Sequence, residues 1–253
     1  IMFSLEEPIN KVIDKLKDDK NYYGDYGKQY LSNSNIRSLI NSPNEFKKPT
    51  KPAKELIMGS YFHTAMLEPD KLSEYKIIES STRSTKVFKD YIKENNLDAY
   101  DVLLTKETEQ VMTWVDKMSS NIEMYEYIYD SNNKFEVPGV AQIMGNWWKG
   151  KADIITEDYV IDLKTTTKIH DFKWKCNNFY YNSQAYLYQR IFGKKMIFFI
   201  IDKDTLQLKI SDCSPEFIER GKENVEKATN EYNKFYGAKA TQDPENFILK
   251  ETL

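Results

Sequence analysis

Gly150-Lys151-Ala152-Asp153 is followed, nine residues after its aspartate, by Asp162-Leu163-Lys164. Both segments sit in apolar, β-branched surroundings that predict adjacent strands. A pair of carboxylates can hold a hard divalent cation. Lys164 stands two residues past Asp162, so on a strand both side chains leave the same face. Cation, orienting charge and a group that manages a water proton are what metal-assisted attack of water on a phosphodiester requires. With Glu157-Asp158 as the turn, Asp153 and Asp162 fall opposite each other on antiparallel strands. Like charges so placed repel, and a carboxylate buried without a partner is costly. Something positive therefore belongs between them. On these residues alone, a salt-bridge network of Asp153, Asp162 and Lys164 at the sheet end is the favoured reading over a metal centre, because the motif is short and weakly specific.

The elements that must position these groups can be read from periodicity. Residues 6–19 carry Ile9, Val12, Ile13 and Leu16 at helical spacing, and a loop is expected over 21–27. Ser34 is a candidate cap for a helix with Ile36, Leu39 and Ile40 on its apolar face, ending near Ser42-Pro43. A mobile Pro/Lys loop is expected over 48–52. A helix over 55–67 carries His63, with Gly59 four residues earlier to permit close packing. A short strand over 75–79 and helices over 84–95 and 106–129 complete this half. Alternation then switches to a period of two over 134–144, 147–156 and 159–165, a three-stranded meander with Glu136 on its first strand. A helix over 178–192 places Gln184 and Tyr188 on one face. Strands over 195–202 and 206–211 follow, and Ser214-Pro215-Glu216 opens a last helix to about Tyr236. The predicted fold class is α/β in the mixed α+β sense, a central mixed β-sheet flanked by helices. It is expected as a single domain over 1–253, with a mainly helical part (1–130), a sheet core (131–211) and a C-terminal helix and tail (212–253).

Composition narrows the classes. The chain has 253 residues, 40% apolar and 30% charged, which suits one sizeable core and excludes a disordered chain. No apolar run reaches a membrane span, and the N-terminus lacks the pattern of a signal peptide, so no membrane and a cytoplasmic location are expected. Cys176 and Cys213 have neither metal-ligand spacing nor a disulfide framework. A net charge of -3 does not announce a nucleic-acid binder. Lysines still cluster at Lys47, Lys48, Lys51 and Lys54, and at Lys173, Lys175, Lys194 and Lys195, as solvated surface or as one basic groove beside an acidic site. No glycine-rich phosphate loop, cysteine quartet or Ser/His or Cys/His pair is evident.

Five segments in this order resemble the PD-(D/E)XK nuclease superfamily, in its branch of phage and bacterial recombination exonucleases, nearest the exonuclease VIII (RecE-like) group and related to the lambda-type enzymes. They are Ser32-Asn33-Ser34 with Ser42-Pro43, Gly59-Ser60-Tyr61-Phe62-His63 with Leu67-Glu68-Pro69, Gly150-Lys151-Ala152-Asp153, Asp162-Leu163-Lys164-Thr165-Thr166 and Gln184-Ala185-Tyr186-Leu187-Tyr188. Ala152 stands where the superfamily name has proline. The resemblance implies a restriction-endonuclease-like core and a catalytic trio of Asp153, Asp162 and Lys164. It implies Mg²⁺ or Mn²⁺ held by His63, Asp153, Asp162 and the Leu163 carbonyl, with Glu136 a further acid that either reaches a second metal or pairs with a lysine. Gln184 and Tyr188 would hold the DNA strand, and Arg37 and Lys151 would contact it too. The implied activity is exonucleolytic hydrolysis from ends of linear duplex DNA in phage or bacterial recombination, with a ring-shaped homo-oligomer and a single-strand annealing protein as partners. An endonuclease or a nuclease module of a repair or packaging machine keeps the same site. A catalytically silent DNA-binding protein of the same fold is the reading from another class.

Overall fold

The computed structural model describes residues 7–46, 48–49 and 51–250. Its N-terminal part is α1 (Ile9–Leu16), α2 (Asp19–Tyr23), α3 (Asn33–Asn41), α4 (Lys54–Leu67), β1 (Lys76–Ile78), α5 (Lys86–Glu94), β2 (Val102–Leu104), α6 (Thr105–Ser119) and α7 (Ile122–Ile128). The main sheet follows as β3 (Lys134–Ile143), β4 (Asn146–Ile155) and β5 (Tyr159–Thr166). After α8 (Phe172–Asn178) and α9 (Tyr181–Phe192) come β6 (Lys195–Asp202), β7 (Leu208–Asp212) and α10 (Pro215–Phe235).

The sheet runs in sequence order, β3-β4-β5-β6-β7, and is antiparallel except where β5 pairs with β6. A parallel pair needs a crossover, and α8 and α9 supply it. Because β5 and β6 are apolar on both faces, both faces must be covered. Met196, Phe198 and Ile200 point into one core with Ile36 and Leu39 of α3, Ala185 and Leu187 of α9 and Val225 of α10. Ile197, Phe199 and Ile201 point into the other, with Phe62 of α4, Val111 and Trp114 of α6 and Met124 of α7. The result is the expected mixed sheet between helical layers.

Two cross-strand glycines set how closely α9 lies on the sheet. Gly139 and Gly150 are register partners on β3 and β4. A Cβ at Gly139 would meet Ile191 at 2.5 Å, and one at Gly150 would meet the Tyr188 ring at 2.8 Å. Gly59, expected to permit close packing, has open space where its Cβ would be, so its use lies elsewhere.

Several expected boundaries shift for local reasons. Asn21 to Tyr23, expected in a loop, fall in α2, which Asp18 caps by accepting from the Lys20 N–H. The cap of α3 is Ser32, two residues before the expected Ser34, because Asn35 closes a capping box back onto the Ser32 N–H. The expected helix over 106–129 is two helices, since Asn121 caps α7 and ends the first run. The helix expected over 178–192 is α9 and starts three residues later, after Tyr180 adopts φ 57°, and α8 before it was not expected. Strand β2 was hidden in the approach to α6. Lys47, one of the clustered lysines, lies outside the described residues, as do Glu6 of the expected first helix and Thr50 of the expected Pro/Lys loop.

Candidate active site

The site is built where β4 and β5 part. Their ladder pairs Ile155 with Val160 and Ile154 with Ile161, then stops. The next opposed positions are Asp153 and Asp162. In place of a ladder bond, the Asp153 carboxylate accepts the Leu163 N–H at 2.7 Å. The third strand deviates at the same level. Phe135 pairs with Ile154 and Val137 with Ala152, which leaves Glu136 opposite Asp153 without a ladder pairing. Glu136 has φ 49°, a conformation that costs a non-glycine residue roughly 1–2 kcal/mol. Ala152 and Ile154 lie in opposite cores, so β4 turns over at Asp153 and carries its carboxylate toward β5.

His63 of α4 completes this side. Its Nε2 lies 2.9 Å from the Leu163 carbonyl and 3.2 Å from Asp153 Oδ2, and its Nδ1 lies 2.8 Å from the Gly59 carbonyl. A carbonyl only accepts, so both ring nitrogens donate and the imidazole is positively charged. Burial works against that charge, but Asp153 outweighs it and raises the His63 pKa to about 9. Gly59 thus serves through its carbonyl. Burial likewise opposes the charge of Asp153, and the His63 and Lys164 charges overcome it and hold its carboxyl below the ordinary range.

Asp162 is 2% exposed. Its Oδ1 accepts from Gln184 Nε2 at 2.5 Å, and its Oδ2 lies 2.6 Å from Lys164 Nζ. That second contact is an ion pair without hydrogen-bond alignment, so Oδ2 is a buried oxygen that accepts no hydrogen bond. Burial raises the Asp162 pKa in spite of the lysine beside it. Lys164 is partly buried, which works against its charge, but the charge of Asp162 keeps its ammonium form favoured.

Lys151 forms ion pairs with Asp19 of α2 and, at 3.2 Å, with Glu136. Burial and the nearby Asp153 charge lift the Glu136 pKa to about 7. Tyr188 donates to the Lys151 carbonyl at 2.9 Å and accepts its N–H at 3.3 Å. Gln184 and Tyr188 therefore share a face as expected, with their polar ends engaged by Asp162 and by the β4 backbone. Arg37 stands apart from the carboxylates: it donates to the Asn178 carbonyl and lies over the Phe179 ring at 5.8 Å.

These groups open into a cavity of about 770 Å³. His63, Glu136, Lys151, Asp153, Asp162, Lys164, Gln184 and Tyr188 line it together, whereas Arg37 does not. Sequence reading missed Asp19, Tyr22, Tyr23 and Lys149 on its wall. Lys149 alternates with Lys151 along β4, which was the available signal. Its ammonium donates to the Tyr22 carbonyl, and burial lowers its pKa to about 8.

Two carboxylates, a carbonyl and an imidazole form the oxygen-and-nitrogen set that suits a hard divalent cation. Among the described residues, no three His, Cys, Asp or Glu side chains are already gathered as a metal cage. The His63 imidazolium and the Lys164 ammonium hold the acceptors instead. Two single positive charges thus stand where one divalent cation would satisfy the same anions, and Lys164 is the partner of Asp162 Oδ2.

A family model described as a PDDEXK-like domain of unknown function (DUF3799) matches residues 31–245. The chain belongs to this PDDEXK-like family. The sheet and its flanking helices agree with the PDDEXK-like fold. A crystal structure of a candidate exonuclease from Eubacterium rectale superposes with a TM-score of 0.66 at 19% identity, over 93% of this chain and 95% of that one. At that identity the likeness concerns the fold. A structure named SSO0001 aligns over 68% of this chain and 84% of its own, at 16% identity and a TM-score of 0.27, and carries no argument. No curated protein matches the chain. No helix among the described residues is long and apolar enough to cross a membrane.

Proposed function

We propose that this PDDEXK-like protein is a divalent-metal-dependent exodeoxyribonuclease acting on ends of linear duplex DNA, of the recombination type that its motifs resemble. One observation carries the reading. Asp153, Asp162, Lys164 and His63, from three separate elements, converge on one cavity at the point where β4 and β5 part, with the Leu163 carbonyl held behind them by His63. A buried salt-bridge network alone does not need a cavity or a histidine from a distant helix.

His63, Asp153, Asp162 and the Leu163 carbonyl would hold Mg²⁺ or Mn²⁺. The bound cation would polarise the scissile phosphate and lower the pKa of its water. The other work belongs to the chain. Asp153 fixes the strand edge through the Leu163 N–H. Gln184 orients Asp162 by holding Oδ1, leaving Oδ2 directed at Lys164. Lys164 is an ammonium here, so its role is to supply positive charge to the phosphoryl oxygens as negative charge develops. It takes up no proton in that form. Tyr188 pins the Lys151 backbone, and Lys151 offers its charge to a DNA phosphate when it leaves Asp19. Glu136 balances Lys151. Arg37 would meet the strand outside the cavity. A ring assembly and a single-strand annealing partner belong to the same reading.

The test is incubation with linear and with covalently closed duplex DNA, in Mg²⁺ or in EDTA. Loss of the linear form alone, abolished by EDTA, is expected. Cutting of closed circles would make the protein an endonuclease, and binding without cleavage in Mg²⁺ or in Mn²⁺ would make it a silent module.

A further inference from the structure

A line of rings leaves the cavity beside Lys164. Lys164 Nζ lies 4.7 Å from the centre of the Tyr181 ring, and Tyr181 lines the cavity. The Tyr181 ring stacks on Phe179 at 5.7 Å with planes 24° apart. The guanidinium of Arg37 covers Phe179 and also bonds the Asn178 carbonyl, where α8 ends. One helical turn earlier on α8, in the i and i+4 relation to Asn178, stands Trp174. Phe179 is 51% exposed and Trp174 is 72% exposed. A tryptophan this open contributes little to the core, and α8 is already anchored by the buried Phe172 and Cys176. Lys173 beside it is exposed too. Large flat rings, a guanidinium and an exposed ammonium suit a strand of phosphates carrying unpaired bases: stacking for the bases, positive charge for the backbone. Bases in the interior of a duplex have both faces covered by neighbouring pairs and cannot use such rings.

We propose that Trp174 and Phe179, with Arg37, form a stacking platform for the unpaired bases of a single-stranded segment adjoining the candidate active site. The proposal rests on the nuclease reading and adds a substrate feature to it: a DNA end with a few bases free of their partners. Both rings are exposed, so replacing either leaves the buried core intact.

Binding in EDTA tests the platform without cleavage. Fluorescence anisotropy would compare a labelled twelve-thymidine oligonucleotide with a twelve-unit abasic strand of the same charge, for the native protein, Trp174→Ala, Trp174→Phe and Phe179→Ala. Loss of base stacking is worth about 1–3 kcal/mol per base, roughly five- to 150-fold in affinity. Trp174→Ala and Phe179→Ala are expected to weaken thymidine binding by at least about fivefold. The abasic strand should bind them within about twofold of the native protein, and Trp174→Phe should recover most of the loss. Unchanged thymidine affinity in both alanine variants overturns the platform, as does an equal loss on the abasic strand. If Trp174→Ala instead dissolves a self-associated form and leaves DNA affinity unchanged, the face belongs to a second copy of the chain and the platform is refuted. A native protein that binds no DNA at all removes the nuclease reading and the platform together. Native cleavage of linear duplex with full thymidine affinity in the variants removes the platform alone.

Discussion

Replacing Lys164 with methionine removes the charge and keeps the length of the side chain. The Lys164 ammonium lies 2.6 Å from Asp162 Oδ2, and Asp162 is 2% exposed. Breaking a buried ion pair by removing one partner costs about 3–5 kcal/mol. The low end, about 3 kcal/mol, is expected here, because Gln184 still bonds Oδ1 and burial already favours the protonated form of Asp162. In a chain of this size about 3 kcal/mol lowers Tm by roughly 6–12 °C, against a total stability of about 5–15 kcal/mol, so the variant folds. Removing the charge aimed at the phosphoryl group should lower cleavage by about 10²–10³. The assay pairs thermal unfolding in EDTA with single-turnover release of labelled nucleotide from linear duplex DNA. A double-mutant cycle with Asp162→Asn separates the pair from its surroundings. Removing both charges should be less destabilising than the sum of the single losses by about 1 kcal/mol or more. Full cleavage by Lys164→Met, or strictly additive stability losses, would refute the placement of Lys164 against Asp162.

Gln184→Leu should keep the fold and lower cleavage by about 10–100-fold, the usual effect of freeing the partner that orients a ligand; an unchanged rate would show that Asp162 needs no such hold. Asp19→Asn removes the acid paired with Lys151, so duplex affinity at low salt should rise and its salt dependence should steepen; weaker binding would contradict the role given to Lys151. Arg83→Ala breaks a two-pronged pair with the buried Glu107, at 2.5 and 2.8 Å, and should destabilise by about 3–5 kcal/mol. Burial opposes the charge of Glu107, but Arg83 outweighs it and holds the carboxyl below its ordinary 4.5. A depressed carboxyl stabilises the fold above its unfolded pKa, and that contribution is lost as pH falls through the lower folded value. Chemical denaturation from pH 7 down to pH 3 should therefore show a smaller acid loss in Arg83→Ala than in the native protein, and parallel curves would refute the pairing.

The sheet was legible because β3, β4, β5 and β6 obey a period of two bounded by clear turns, and their observed limits fall within two residues of the expected ones. The opposition of Asp153 and Asp162 was legible for the same reason, since it follows from the turn at Glu157-Asp158. The parting of the strands at that level was not. It depends on the turning over of β4 and the positive φ of Glu136, and neither has a signature in residue type. The helix break at Asn121 was hidden because apolar spacing continues through it. The part of Asp19 in the cavity could not be read, since it lies 132 residues from Lys151 in the chain and pairs of charges carry no sequence mark of their partner. Gly150 stood in the motif from the start, but its use as a seat for the Tyr188 ring emerges only when α9 is laid on the sheet.

The proposed nuclease activity requires that Asp153, Asp162 and His63 together hold a divalent cation. Electron paramagnetic resonance of free Mn²⁺, titrated with protein in the presence of an uncleavable DNA end, measures this directly. The native protein is expected to deplete the free-ion signal stoichiometrically, and Asp153→Asn, Asp162→Asn and His63→Ala are each expected to lose most of that depletion. Equal Mn²⁺ uptake by the native protein and all three variants, or none by the native protein with DNA bound, would contradict the claim.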